Sequence, residues 1–191
     1  MGIEMNAESI EKWTKRLFVG LGTFLTVYIA FSTLGYVSNS KVHYANFAVG
    51  IMVLSSLYGV QNLFDDFRKD SNLKKLYFRV CLLFVGASLA IIGAIFVRVN
   101  ALRLDQIHPF FEDFDFYMGL LFLTGVLLLT WFHWGLILTS LIALTVLYFF
   151  FGHYVTIPIL MLPEYDPKFV MNYLGLGLAE GMFWFARVAA D

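Results

Sequence analysis

The sequence predicts an all-α integral membrane protein: a bundle of about five transmembrane helices with an amphipathic N-terminal lead-in and an interfacial C-terminal helix. Apolar residues make up 60% of the chain and charged residues only 14%, far from the balance of a water-soluble domain. The charged residues are also segregated, leaving the uncharged stretches 17–40, 42–64, 80–97 and 116–163. Each is as long as a bilayer requires, since a spanning helix needs about 20 residues at a rise of about 1.5 Å each.

Residues 1–16 come first, with Ile3, Ile10 and Trp13 set among charges. They read as a short cytoplasmic lead-in that lies on the membrane surface, with Ser9 as a candidate cap. The spans are then expected at about 17–37, 44–64, 78–97, 116–132 and 135–157. The last two come from one stretch that would overshoot the hydrocarbon by about 30 Å as a straight helix, more than tilt absorbs. The break is expected at Trp131-Phe132-His133-Trp134-Gly135, where rings sit at headgroup depth and glycine eases a reversal. Trp13, Lys15, Arg16, Trp131, His133 and Trp134 are accordingly the expected interface anchors.

Orientation follows from the basic residues near the spans. Lys12, Lys15 and Arg16 precede the first, and Arg68, Lys69, Lys74, Lys75 and Arg79 lie between the second and third. The loop after the third is acidic, with Asp105, Glu112, Asp113 and Asp115. The N-terminus is therefore expected in the cytoplasm and the C-terminus outside. Glu4, Glu8 and Glu11 dilute the basic region a cleavable signal would carry, so the first span is expected to stay as an anchor.

The third span carries Gly86, Ala90, Gly93 and Ala94, a smooth stripe at helical spacing. Such a stripe lets another backbone approach closely, either a second subunit or a neighbouring helix of the same chain. The tail 158–191 is interrupted by Pro158, Pro163 and Pro167 and rich in glycine at 175, 177 and 181. It reads as an extracytoplasmic segment, interfacial or half-inserted, that draws its order from something else; Tyr173, Glu180 and Gly181 are candidate contacts.

Chemistry is sparse. No Asp, Glu, Lys or Arg falls deep in any predicted span, although ionisable groups there usually mark ion or substrate pathways. His43, His108 and His153 are expected near the outer face and His133 near the inner. With about 30 Å of helix between His133 and His153, paired haems on both faces are excluded. An outer metal site from His43, His108, His153 and Asp105 has unfavourable spacing. Cys81 stands alone, and a net charge of −1 gives nucleic-acid binding no support. No metal, cofactor or catalytic residue is expected.

From Arg98 the chain reads RVNALRLDQIHPFFEDFDFYMGLLFLTGVLLLTWFHWGLILTSLIALTVLYFFFGHYV, and later YDPKFVMNYLGLGLAEGMFWFA. This resembles the membrane subunits of TAXI-type TRAP transporters, the tripartite, ATP-independent, binding-protein-dependent carriers. The matching features are Asp115, Gly135 with its aliphatic span, residues 148–154, and the segment ending Ala179-Glu180-Gly181. Family members usually carry Glu and Arg-Arg in the turn where this chain has Thr130-Trp131-Phe132-His133-Trp134. The resemblance implies a separately encoded small Q-type subunit in the cell inner membrane, without substrate sites of its own. Its implied partners are a large M-type permease and a periplasmic substrate-binding protein, with a sodium or proton gradient driving uptake of a small organic anion or amino acid. The alternatives from the residues are an accessory or assembly protein of another membrane complex, or a small redox or metal protein using the outer-face histidines.

Overall fold

The computed structural model describes residues 2–32, 40–69 and 73–178. Among them lie seven α-helices and no strand: α1 (Gly2–Phe31), α2 (Ser40–Lys69), α3 (Leu73–Val99), α4 (Ala101–Ile107), α5 (Asp113–Trp134), α6 (Leu136–Phe151) and α7 (Pro167–Met171). Five helical segments, the last of them α6 with the turn that follows it, are long and apolar enough to cross a membrane: Ser9–Phe31, Ser40–Arg68, Leu73–Val99, Asp113–Trp134 and Leu136–Tyr154. In none is more than 33% of the most apolar window buried, so the greasy side chains point outward as lipid requires. The chain is a multi-pass, membrane-type helical bundle.

The predicted lead-in does not form a helix of its own. α1 continues unbroken from Gly2 to Phe31, with Ser9 inside it rather than capping it. Nothing in residues 9–20 breaks a helix, and Thr14 Oγ1 donates to the Ile10 carbonyl at 2.9 Å within the same turn. At about 1.5 Å per residue the helix is about 45 Å long, so one end projects beyond the hydrocarbon. Helices α2, α3 and α5 also overrun their predicted limits, because charged and polar residues at their ends continue the helix after the apolar pattern stops, whereas α6 ends at Phe151, short of the expected 157.

α3 is the central element, with α2 on one side and α5 on the other; α1 packs mainly on α2, and α6 on α5. Glycine makes these crossings close. A Cβ at Gly93 would lie 2.8 Å from Phe122 Cα, and one at Gly86 would lie 3.1 Å from the Leu129 nitrogen. In lipid, where burying apolar surface between helices gains little, such van der Waals contact is what holds a bundle together.

The reversal between α5 and α6 falls at Gly135, as the sequence predicts. Gly135 has φ +83°, and its N–H donates to the Trp131 carbonyl at 3.0 Å. A side chain is disfavoured in that backbone region, so glycine permits a single-residue junction. Beyond α6 a turn at Gly152–Tyr154 leads to the tail, whose α7 is the C-terminal helix of the described chain. The tail then folds back as a π-turn at Asn172–Leu176 packed on α5, where Gly119 leaves room for Met171 and Leu176.

Candidate functional site

The stripe on α3, a candidate for contact with a second subunit or with a neighbouring helix, is used within the chain. Gly86, Ala90, Gly93 and Ala94 are all buried against α5. Gly125 on α5 supplies the matching gap opposite Ala90, so no free small-residue face is left here for a partner.

The interface anchors divide. Trp13 is exposed, with the Arg16 guanidinium 5.9 Å from its ring, and Trp134 is exposed at the far end of α5. Lys15 pairs with Glu11 at 2.7 Å, and Glu11 also pairs with Arg68, joining α1 to α2. Trp131 meets the edge of Phe78 at 5.6 Å. His133 departs from expectation, because its ring turns into the bundle rather than toward headgroups. Its Nε2 lies 3.2 Å from both the hydroxyl and the carbonyl oxygen of Ser55, and the ring stacks on Tyr58 at 5.6 Å. An imidazole needs a hydrogen-bonding partner once it leaves water, and α2 provides one. Nothing in the sequence around Ser55 distinguishes it from the other hydroxyl side chains of the apolar stretches.

At the opposite end, around α4, lies a dense polar network. Asp115 is fully buried at 0% exposure, accepts both Nη groups of Arg103, and accepts the Glu112 backbone N–H at 3.2 Å. Glu112 caps α5 reciprocally, completing a capping box that satisfies N–H groups at the start of the helix. Asp115, followed by Glu112, holds the Arg103 guanidinium above its ordinary range. Asp166 caps α7 by accepting the Lys168 N–H at 2.7 Å, and the Lys168 ammonium reaches Asp113 at 2.7 Å, which raises its pKa. Asn172, 1% exposed, lies with Nδ2 2.7 Å from His108 Nε2. Together these bonds clamp the tail onto the bundle.

Each described histidine thus has local company: His43 with Ser32, His108 with Asn172, His133 with Ser55 and His153 against Tyr154. Among the described residues, no three His, Cys, Asp or Glu side chains gather closely enough to hold a metal ion.

Between α5, α6 and the tail lies an apolar groove of about 880 Å³. Its walls include Val126 and Thr130 of α5, Ile142 and Phe149 of α6, and Phe169 and Tyr173 of the tail. α6 diverges from the bundle here: of its 16 residues only Thr139 is buried, and Ile137 is 90% exposed. Tyr173, a contact candidate from sequence, stands exposed on the groove wall with Phe169 edge-on at 5.3 Å. Glu180 and Gly181, the other two candidates from the tail, lie outside the described residues.

The chain matches no protein-family model, no curated protein and no solved structure.

Proposed function

We propose that this chain is the small Q-type membrane subunit of a TAXI-like TRAP transporter, a scaffold for a large ion-coupled permease. The observation that carries the reading is the bare α6 together with the apolar groove beside Tyr173. That surface sits at the edge of a bundle whose other helices are tied to one another, and it suits a polytopic neighbour better than a solute. The lack of Asp, Glu, Lys and Arg deep in the predicted spans supports a passive role. A carrier would move its substrate domain against this bundle, while a periplasmic binding protein delivers a small organic anion or amino acid to the carrier.

On this reading the chain resides in the cell inner membrane, and the basic end, with Lys12, Arg16, Arg68 and Lys75, faces the cytoplasm. The α4 end and the tail face outward. The test is purification of the tagged protein from its native membrane in mild detergent, followed by mass spectrometry of what accompanies it. A large polytopic permease is expected. A stable protein without such a companion overturns the proposal.

A further inference from the structure

We propose that the groove between α1, α2 and α3 binds one phospholipid, with its phosphodiester on Arg98 and the upper part of an acyl chain in the apolar channel below. Arg98 lies in the last turn of α3, where the span meets the headgroup region. Its Nε donates to Asn46 Oδ1, and Asn46 Nδ2 donates in turn to Tyr28 Oη at 2.9 Å. These bonds fix the guanidinium over the mouth of the groove by one nitrogen and leave its two Nη groups for a ligand.

Among the described residues, the other cations of the α4 end are matched within the chain: Lys41 by Asp105, Arg103 by Asp115 and Lys168 by Asp113. Among the described residues, Arg98 has no carboxylate. A half-buried guanidinium at the membrane boundary calls for an anion, and a lipid phosphate is the one the surroundings supply at that depth, in a geometry the planar fork matches.

Below Arg98 the groove encloses about 440 Å³, lined by Leu21 and Phe24 of α1, Gly50 and Val53 of α2 and Ile95 of α3. Gly50 lets Leu25 of α1 pack closely on the wall, since a Cβ there would lie 2.8 Å from Leu25 Cδ1. From Asn46 to Leu54 the wall descends about 12 Å along α2. A charged rim over an apolar channel facing lipid fits a two-part ligand, whereas a free phosphate would leave the channel unused. The site is independent of the transport reading.

The test is native mass spectrometry of the whole protein in mild detergent, titrated with phosphatidylglycerol. One saturable adduct is expected, weakened about tenfold in Arg98→Ala. It is expected to weaken also in Ile95→Trp, which fills the channel from an exposed position, and to persist in Lys168→Ala. Inorganic phosphate at equal concentration should not displace it. Circular dichroism checks that each variant folds; if Arg98→Ala does not, Ile95→Trp decides. Binding unchanged in the folded variants overturns the proposal, as does displacement by inorganic phosphate.

Discussion

Gly125 of α5 faces the backbone of Ala90 on α3 so closely that a Cβ would lie 2.8 Å from Ala90 Cα. The obstacle is main chain rather than a movable side-chain end, so the two helices must part if Gly125 is enlarged. Gly125→Leu should cost about 3 kcal/mol, the upper part of the usual range for overpacking. Gly20→Ala, at a position with nothing within 4 Å, should leave stability unchanged or slightly raised. Thermal denaturation of both variants in the same detergent makes the comparison.

The buried carboxylate of Asp115 binds Arg103 and an end of its own helix together. Asp115→Ala removes the capping box and leaves Arg103 without its main partner. Because Arg103 is itself only half-buried, solvent recovers part of the loss, and about 2 kcal/mol is expected. The loosening should be local, seen as faster amide hydrogen exchange at the start of α5 and in α7, while α1 and α2 keep their protection. Uniform exchange throughout the bundle would contradict this account.

Ser55 and His133 couple α2 to α5 through a hydrogen bond inside the membrane. Ser55→Ala removes the hydroxyl but leaves the carbonyl contact, so the pair should show a modest coupling of about 0.6 kcal/mol. A double-mutant cycle of Ser55→Ala with His133→Phe, read by unfolding in detergent, measures it.

If the groove beside α6 receives a permease, Ile142→Trp should fill it and Tyr173→Ala should weaken its wall. Both positions are exposed, so neither substitution should lower the melting temperature appreciably. Loss of the co-purifying protein from both variants, with the bundle intact, is the expected pattern.

Orientation can be read with an impermeant thiol reagent on intact cells. In a Cys81→Ser background, a cysteine at exposed Phe110 near α4 should label, and one at exposed Phe67 near the basic end should label only after lysis. The reverse order would invert the topology inferred from the basic residues.

Much of the architecture was legible because a membrane imposes one-dimensional rules. Span number follows from length and charge exclusion, and the break at Gly135 follows from a stretch too long to cross once. The side-chain partners were less accessible. Asp115 could be read as opening a span, but its bond to Arg103 depends on where α4, packed on α2 and α3, sets that side chain relative to the start of α5. The stripe from Gly86 to Ala94 signalled close approach without naming the approaching helix. His133 looked like an anchor because aromatic neighbours at a turn usually are, and nothing in its local sequence marks Ser55, 78 residues earlier, as its partner.

What the sequence determined by itself is therefore the class of protein, its five long helical segments and the break near Gly135, since hydropathy, segment length and glycine's backbone freedom are local quantities. Tertiary structure alone decided which small residues were already covered, which charges were paired and that Arg98 was left unmatched by any carboxylate among the described residues. The physical reason is that pairing and close packing depend on which helices come to lie opposite one another, and that arrangement emerges only when α3 settles between α2 and α5.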